Sequence, residues 1–288
     1  IVVNEKQLSL CQSQIPSELK ERTEFIIEPI GRNTAPAISL AALLAPDDEL
    51  LILSSDHLIN NIDLYNDCVN QALKLAQANN LVTFGMNAQY PEVGYGYIES
   101  KGNDVISFKE KPDLETAKEY IRQGTYFWNS GMFCFKAGVL LNSVREFALD
   151  IYEPAIYAYS SAKTKSVIRI NKELMEDIPS VSIDVAVMEK CFNLKVVKSD
   201  IGWSDLGSFC SIYKALEKDK NNNAIKYNGE EPLLLNSKDN LVISNHKKVA
   251  LVEVENLAIV NTPDALLIVN KEKTQDVKEV VSQLVKEG

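Results

Sequence analysis

The sequence predicts an α/β protein with a small, mostly-β unit at its C-terminal end. Over residues 1–200, short apolar runs of strand type alternate with amphipathic helical stretches, a pattern typical of a sheet covered by helices. Around residues 218–223 the sequence becomes charged and polar, and short strand-like runs follow at a spacing of roughly 8–10 residues. We therefore place a domain boundary near residue 220, with domains over 1–220 and 221–288.

In the first half of the large domain, strands and helices follow one another in turn. Residues 25–27 form a short strand, and Thr34 is placed to cap a helix over 34–44. Residues 50–53 are wholly apolar and are followed by polar residues, which favours a buried parallel strand. A helix over 64–78 and a buried strand over 81–85 come next. This alternation predicts a mostly parallel sheet with right-handed crossovers.

The second half of the large domain opens with a hairpin. Residues 95–99 and 105–109 are predicted strands joined by a turn at 101–103. Asp113 is placed to cap a helix that Gly124 closes. The later elements are a strand over 131–136, a helix from Ser182 through Lys190 and a strand over 194–197.

The C-terminal unit is predicted to be rich in short strands. These strands cover 232–235, 240–243, 248–252, 257–260 and 265–269. Residues 274–285 then favour a terminal helix with its apolar residues on one face. No clear internal repeat is visible in the sequence, and the spacing of the strands predicts a small all-β unit followed by a helix.

Composition and charge narrow the classes of function. The chain has 288 residues, of which 45% are hydrophobic and 24% charged, as in ordinary globular proteins. A formal net charge of −10 argues against a nucleic acid partner. No apolar run approaches the ~20 residues of a membrane span and no signal peptide is visible, so we expect a cytoplasmic protein without a membrane partner. Five scattered Cys and two His leave carboxylates as the natural metal ligands.

Two aspartates follow apolar strands. Asp56 comes shortly after 50–53, and Asp205 shortly after 194–197. Ligands of open α/β sheets bind outside the carboxyl ends of the strands, so the two carboxylates could meet at one site. A pair of carboxylates suits Mg²⁺, which commonly takes one or two of them together with substrate phosphates. Each Asp alone is better explained by a turn, and His57 is interpreted as a packing or supporting residue.

Polar and glycine-rich positions beside the predicted hairpin suit a phosphorylated sugar. At a strand end, Glu110 offers a carboxylate for sugar hydroxyls and Lys111 an ammonium for a phosphate, although a solvated strand edge fits the spacing slightly better. Asn129 could bind a hydroxyl or form an Asx turn before a strand. Gly94 and Gly96 allow close approach of a ligand to the backbone, and Tyr95 offers a ring either to a pyranose or to an aromatic partner in the sheet.

A second polar loop suits a nucleotide. Glu28, Arg32 and Asn33 lie between the strand at 25–27 and the helix over 34–44, and a helix N-terminus favours an anion or a nucleobase. Arg32 could equally be a surface charge. Asp184 is most simply an acidic residue in the first turn of a helix, where the helix dipole favours it.

Taken in chain order, these segments resemble one family. The segments are EPIGRNTAPAISLAAL, SSDHLI, GYGYIE, FKEKPDLETA, FWNSGMFCF, SIDVAVMEK and GWSDLGSF. They resemble the mannose-1-phosphate guanylyltransferases, the GDP-mannose pyrophosphorylases of bacteria, over about residues 24–216. RNTAPA and WNSGMF point to the mannose branch of the sugar nucleotidyltransferases. The resemblance implies a Rossmann-like domain with a mixed sheet and a C-terminal domain related to a left-handed β-helix.

The resemblance also implies an activity and a set of site residues. The reaction would transfer GMP from GTP to α-D-mannose 1-phosphate, giving GDP-mannose and pyrophosphate. Asp56 and Asp205 would bind the catalytic Mg²⁺, and Lys111 would hold the sugar phosphate. The sugar pocket would further contain Glu110, Asn129, Gly94, Tyr95 and Gly96, with Asp184 carried over less directly. Glu28, Arg32 and Asn33 would lie beside the guanine and ribose.

One family feature is not in this sequence. The family opens with a glycine-rich loop that cradles the triphosphate, whereas residues from Ile1 onward look like the family's second strand. We expect the loop and its strand to precede this sequence, because a sheet without its central strand exposes long apolar edges. Two other interpretations stay open: a nucleotidyltransferase for another sugar 1-phosphate or NTP, and a non-catalytic homologue that binds GDP-mannose and regulates a partner. A homodimer through the C-terminal unit is one arrangement that the sequence permits.

Overall fold

The computed structural model describes residues 1–162 and 167–287. Its strands are β1 (Val2–Asn4), β2 (Phe25–Glu28), β3 (Glu49–Ile52), β4 (Leu58–Ile59), β5 (Leu81–Asn87), β6 (Tyr97–Lys101), β7 (Asp104–Lys109), β8 (Tyr126–Lys136), β9 (Val167–Arg169), β10 (Leu194–Ser199), β11 (Trp203–Ser204), β12 (Ala224–Tyr227), β13 (Leu233–Leu235), β14 (Leu241–Ser244), β15 (Ala250–Val252), β16 (Leu257–Asn261) and β17 (Leu266–Asn270). Its α-helices are α1 (Leu8–Gln14), α2 (Thr34–Leu44), α3 (Ile62–Gln77), α4 (Leu114–Gln123), α5 (Ala137–Phe147), α6 (Leu149–Ser160), α7 (Lys172–Glu176), α8 (Phe209–Ala215) and α9 (Val277–Glu287). Short 3₁₀ segments cover Glu5–Gln7, Ser17–Arg22 and Lys271–Asp276, and a π-helical turn covers Asp184–Met188. Over these residues, no helix is both long and apolar enough to cross a membrane.

The chain divides into two compact units. The first unit comprises Ile1–Ser55 and Asn60–Ile201, and the second comprises Asp56–Ile59 and Gly202–Gly288. The short strand β4 therefore belongs to the second unit although its neighbours in the chain belong to the first. This division lies between residues 201 and 202, ahead of the domain boundary predicted near residue 220, which stays a prediction.

The first unit contains two sheets of different type. The strands of the larger sheet follow the order β3-β8-β5-β10-β7-β6, and in it only β5 and β10 pair in parallel. The smaller sheet, β1-β2-β9, is parallel throughout. The predicted mixed sheet is confirmed, but the prediction of a mostly parallel sheet is wrong for the larger one. The long strand β8 and the β6–β7 hairpin each contribute antiparallel pairs to it.

The strand predicted at 50–53 is present as β3, but its predicted surroundings are wrong. In the described chain it pairs with β8 alone, in antiparallel register, with Leu51 opposite Cys134. None of its residues is fully buried, and Glu49 is exposed. A short apolar run fits a central strand and an edge strand equally well, because the pattern records how apolar a strand is and not which strand lies beside it.

Helix packing against the sheets forms the core of the first unit. Buried side chains from β2, α2, β8, α5 and α6 share one apolar cluster, which includes Ile26, Leu40, Phe133, Leu140 and Ile151. Burying such side chains contributes roughly 1.5–3 kcal/mol each to folding. This cluster fixes β2, α2 and β8, which carry or adjoin Glu28, Asn33 and Asn129.

Two helix starts test the predicted caps. Helix α4 is capped by Asp113 Oδ1, which accepts a hydrogen bond from the Thr116 N–H at 2.9 Å, and it ends at Gly124 in the left-handed conformation, as predicted. Helix α2 begins at Thr34, but its cap is Asn33, whose Oδ1 accepts the Thr34 N–H at 2.9 Å. The predicted Thr34 cap is wrong because the Thr34 hydroxyl instead accepts the N–H of Ile183, 149 residues away, at 2.9 Å.

The second unit has a repeat that the sequence analysis missed. Strands β12, β14 and β16 stack in parallel with Ala224, Leu241 and Ala258 in register, each 17 residues after the one before. Strands β13 and β15 stack with the same offset, Leu233 opposite Ala250. The chain therefore coils with a period of 17 residues, and β17 closes the stack in antiparallel. The five predicted strands and the terminal helix are confirmed, whereas β12 was not predicted.

Candidate active site

Five of the residues predicted to bind a phosphorylated sugar lie together in the first unit. Asn129 Nδ2 donates to Asp184 Oδ1 at 2.8 Å, and the Asn129 N–H donates to the Gly96 carbonyl at 2.8 Å. A Cβ on Gly96 would lie 2.6 Å from Glu110 Oε2, so glycine allows this carboxylate to approach the strand. Lys111 Nζ donates to Glu110 Oε1 at 2.7 Å. Gly96, Glu110, Lys111, Asn129 and Asp184 thus form one cluster, which we call the sugar cluster.

A bulge in β8 directs Asn129 into the sugar cluster. The register with β5 shifts between Thr83, opposite Phe133, and Gly85, opposite Asn129. Asn129 Oδ1 accepts hydrogen bonds from Thr83 Oγ1 at 2.9 Å and from the Gly131 N–H at 3.3 Å, so its amide group points toward Asp184. Bulges commonly redirect side chains beside active sites. Thr83 was missed by the sequence analysis, because a threonine within a buried apolar strand gives no signal of its own.

Asp184 is a nearly buried carboxyl, 9% exposed. Burial raises its pKa to about 6, with the Glu110 charge acting in the same direction and the Asn129 hydrogen bond and the Lys111 charge opposing. The helix predicted from Ser182 through Lys190 is present over a shorter span and with different geometry, as the π-helical turn Asp184–Met188. The Ser182 hydroxyl does accept the Val185 N–H, at 3.4 Å, but core packing of the apolar residues in the turn decides its shape.

Lys111 has an unusual backbone conformation. Its φ is +44°, in the left-handed region that costs a non-glycine residue roughly 1–2 kcal/mol. The preceding N–H, of Glu110, donates to Glu189 Oε1 at 3.0 Å. The Lys111 side chain is 62% exposed and that of Glu110 is 17% exposed, so the ammonium is reachable from solvent while the carboxylate is largely enclosed. Glu189 is not among the site residues predicted from the sequence.

The predicted aromatic positions form a small cluster of their own. Tyr95 packs edge-on against Trp128 at 5.4 Å between ring centroids, and Tyr90 does the same at 4.7 Å. The Gly94 N–H donates to Glu92 Oε1 at 2.9 Å, which shapes the turn before Tyr95. The three rings thus contact one another around Trp128, the residue before Asn129 in β8.

The loop predicted to face a nucleotide contains one unpaired carboxyl oxygen. Glu28 ends β2, its Oε1 is inaccessible to solvent and has no hydrogen-bond partner in the described chain, and burial raises its pKa to about 7. Arg32 donates from Nε to the Met175 carbonyl at 3.1 Å and from Nη2 to the Glu176 carbonyl, both at the end of α7. Arg32 and Asn33 thus stabilise the loop, Asn33 by capping α2. Glu28 has a carboxyl oxygen that no described group hydrogen-bonds.

The two predicted metal ligands lie in the second unit. Strand β4 pairs in antiparallel with β11, with Leu58 opposite Ser204. Asp56 lies before β4 and Asp205 after β11, so both flank the same end of this two-stranded ribbon. Trp203 Nε1 donates to His57 Nδ1 at 3.2 Å. Burial lowers the pKa of His57, and the charges of Asp56 and Asp205 both oppose this, so both carboxylates lie near one imidazole. The Asp205 side chain is held locally, since its Oδ1 accepts the Gly207 N–H at 3.0 Å.

The donor set suits a cation that needs few protein ligands. In the described parts of the chain, no group of three or more His, Cys, Asp or Glu side chains could hold a metal ion. An ion held by Asp56 and Asp205 would take its remaining ligands from substrate and water, as Mg²⁺ commonly does. The residues present therefore fit such an ion. The sugar cluster belongs to the first unit and this carboxylate pair to the second.

Sequence and structure comparisons agree on the relatives of this chain. Proteins named mannose-1-phosphate guanylyltransferase from Klebsiella pneumoniae and Escherichia coli are each 40% identical to it over 298 aligned residues, which cover 99% of this chain and 63% of each relative. The chain thus spans a little under two thirds of the length of these relatives. A crystal structure from Thermus thermophilus, described as a mannose-1-phosphate geranyltransferase, matches with a TM-score of 0.83 and 27% identity over 98% of this chain and 83% of that chain.

Two family profiles also match. Residues 230–284 match the MannoseP isomerase/GMP-like beta-helix domain, in agreement with the coiled strands of the second unit. Residues 1–222 match the profile of the nucleotidyl transferases, and because this match covers well over half of the sequence, the chain belongs to the nucleotidyl transferase family.

Proposed function

We propose that this protein transfers GMP from GTP to α-D-mannose 1-phosphate, giving GDP-mannose and pyrophosphate. The observation that carries the proposal is the sugar cluster, in which the Lys111 ammonium lies beside the carboxylate of Glu110 and near the buried pair of Asn129 and Asp184. The names of the relatives from Klebsiella pneumoniae and Escherichia coli support the choice of sugar and nucleotide.

The sugar cluster has the groups that a sugar phosphate requires. Glu110 and Asp184 would accept hydrogen bonds from mannose hydroxyls, and Asn129 would supply a polar group held in place by Thr83. Lys111 would exchange its contact with Glu110 for the phosphate, which it suits as a point charge. The turn of Gly94, Tyr95 and Gly96 would border the ring.

The reaction needs little covalent help from the protein. A phosphate oxygen of the sugar attacks the α-phosphorus of GTP in line, the new P–O bond forms, and the bond from that phosphorus to the β-phosphate bridging oxygen breaks as pyrophosphate leaves. The attacking oxygen is already anionic, so no general base is required. Positioning by Glu110 and Asn129 and charge neutralisation by Lys111 supply the catalysis, as in other phosphoryl transfers.

Guanine recognition is proposed for the loop that begins at Glu28. The Glu28 carboxyl, rotated so that its unpaired Oε1 is accessible, would accept the adjacent N1–H and 2-amino donors of guanine, one at each oxygen. The other common nucleobases do not offer this pair of donors. Leaving a buried carboxylate without a partner is costly, which favours a ligand that supplies donors. Arg32 and Asn33 hold the loop in place and complete this side of the site.

Members of this family generally use a divalent metal ion, and we propose that here it is Mg²⁺ held by Asp56 and Asp205. When bound, the ion would neutralise charge on the α-phosphate and make its phosphorus more electrophilic. The two carboxylates supply what such an ion takes from protein, and no further ligand cluster is found in the described residues.

Two broader features belong to the same proposal. We place the protein in the cytoplasm, because all five cysteines are free thiols, as is typical of a reducing compartment. We also propose a homodimer through the second unit, where Leu266 and Ile268 of β17 are 61% and 60% exposed. Light scattering on the native protein gives its mass in solution, and a monomer at micromolar concentration contradicts the homodimer.

The proposed reaction is tested by pyrophosphate release from the full-length native protein with Mg²⁺. Mannose 1-phosphate is offered with each of the four NTPs, and GTP is offered with a panel of sugar 1-phosphates. Release restricted to GTP and mannose 1-phosphate is the expected result. Equal release with another pair would replace these substrates. No release from a folded protein that still binds GDP-mannose would favour the regulatory homologue.

A further inference from the structure

We propose that Glu189 is a positioning residue that holds the turn of Glu110 and Lys111 in the conformation needed to receive the sugar phosphate. The inference rests on the proposed function and adds a residue to it. Glu189 would touch no substrate, because it acts through the backbone of Glu110.

The contact satisfies a donor that the sheet leaves over. The hairpin ladder of β6 and β7 ends with Tyr97 opposite Lys109, so the N–H of Glu110 lies one residue beyond it. Glu189 Oε1 accepts this N–H at 3.0 Å. The two residues are 79 positions apart in the chain, so the contact fixes the end of the hairpin to a separate segment.

The next residue explains why the turn needs to be held. Lys111 has a φ of +44°, and Pro112 follows it and further restricts its backbone. A non-glycine residue in this region persists only where its surroundings determine it. The Glu189 contact fixes the peptide just before Lys111 and therefore the direction in which the ammonium leaves the backbone.

The segment that carries Glu189 also carries Asp184. The Glu189 N–H donates to the Asp184 carbonyl at 2.9 Å, the five-residue spacing of a π-helix. With this spacing, the Asp184 side chain accepts a hydrogen bond from Asn129, and the Glu189 side chain accepts one from the Glu110 N–H. One irregular turn thus holds two separate parts of the sugar cluster, which is where such turns are often found.

Substitution separates position from charge. Gln keeps the accepting oxygen of Glu189 and loses its charge, whereas Ala loses both. We expect Glu189→Ala to raise the KM for mannose 1-phosphate about tenfold, as for one lost hydrogen bond to a well-placed group, and to change the KM for GTP less than about twofold. Glu189→Gln should return the KM for mannose 1-phosphate to within about twofold of the wild type.

The measurement is initial-rate kinetics of the full-length protein with each substrate varied in turn, together with hydrogen exchange of the peptide that contains Glu110. Glu153→Ala, at an exposed position of α6, is the matched control. In Glu189→Ala the Glu110 N–H should exchange faster, and in Glu189→Gln it should not. The exchange result is independent of activity, so it tests the contact even if the proposed reaction is wrong.

Three outcomes overturn the proposal. An unchanged KM for mannose 1-phosphate in Glu189→Ala would show that the turn holds itself. An equal rise in the KM for both substrates, accompanied by a lower melting temperature, would mean that Glu189 only stabilises the fold. Failure of Gln to restore the KM would mean that the charge of Glu189, and not its position, matters.

Discussion

At Lys111, side chain and backbone have separate tasks, and a substitution can address the side chain alone. Lys111→Met keeps most of the stem and removes the ammonium beside Glu110. We expect the KM for mannose 1-phosphate to rise by at least about tenfold and the KM for GTP by less than about threefold, because the lost charge is the one proposed to hold the sugar phosphate. Initial rates with each substrate varied check this, with Lys101→Met in the same hairpin as control. An effect confined to GTP would reverse the assignment of the pocket.

Asp184 predicts a dependence of stability on pH. Its pKa is raised from 3.8 to about 6, chiefly by burial, so the folded state keeps a proton that the unfolded state has lost between these values. This group therefore lowers the free energy of unfolding by about 3 kcal/mol as pH rises from about 4 to about 6. Above that range its contribution is constant. Asp184→Asn removes the titration and keeps an oxygen that can accept the Asn129 amide.

We expect Asp184→Asn to gain stability relative to the wild type across that pH window and to show a constant difference above it. Urea unfolding at a series of pH values measures this. Asp67→Asn, at an exposed position of α3, controls for removing a negative charge. A difference that does not vary with pH would mean that Asp184 is charged, or neutral, in both states.

Among elements, the 17-residue coil of the second unit depends on a ladder of buried asparagines. Asn240 is fully buried, and its N–H and Nδ2 both donate to Asn223 Oδ1, at 3.0 and 3.1 Å. Its own Oδ1 accepts the Leu257 N–H at 3.0 Å, and its Nδ2 also donates to the Val254 carbonyl at 3.0 Å. Asn223 donates in the same way to the Ser237 carbonyl, 14 residues further along the chain. Each turn of the coil is thereby bonded to the next.

Asn240→Ala should be strongly destabilising. It leaves the Leu257 N–H without its partner and leaves the Val254 carbonyl with the Lys238 N–H alone. A buried unsatisfied donor costs roughly 1–3 kcal/mol, so we expect a loss of about 2 kcal/mol. Asn245→Ala, at an exposed position after β14, should change the free energy of unfolding by less than about 0.5 kcal/mol. Denaturant unfolding compares the two. Equal effects would mean that the ladder adds nothing to the coil.

The elements also show which sequence signals are dependable. Helix α4 follows its caps because Asp113 and Gly124 act within one turn of the chain. The helix predicted from Ser182 is shorter than expected and π-helical, and its segment is bonded to Thr34 and to Asn129, both far away in sequence. The 17-residue repeat escaped notice because a few asparagines and small apolar residues in shared positions are hard to recognise without the register of the strands.

For the whole molecule, the metal proposal predicts that activity and stability respond differently to a chelator. Asp56 and Asp205 would supply only two protein ligands. An ion held by them therefore adds little to the free energy of folding compared with a structural metal site of four protein ligands. With EDTA we expect pyrophosphate release to stop and the melting temperature to shift by less than about 2 °C. Restored Mg²⁺ should restore the activity, and Asp205→Asn should require more Mg²⁺. Undiminished release in EDTA would remove the metal from the mechanism.

The sequence alone determined the alternation of strands and helices and the change to a β-rich unit, because periodicity and caps are local properties of the chain. It proposed the residues of the sugar cluster through the order of motifs shared with one family. Only the tertiary structure decided which strand pairs with β3 and why Thr34 does not cap α2. It also decided the orientation of Asn129 by Thr83 and the contact of Glu189 with Glu110. In each of these cases a hydrogen-bonding group has several acceptable partners in the sequence. Which partner it takes depends on distant segments that folding brings alongside it, from 46 residues away for Thr83 and Asn129 to 149 for Thr34 and Ile183.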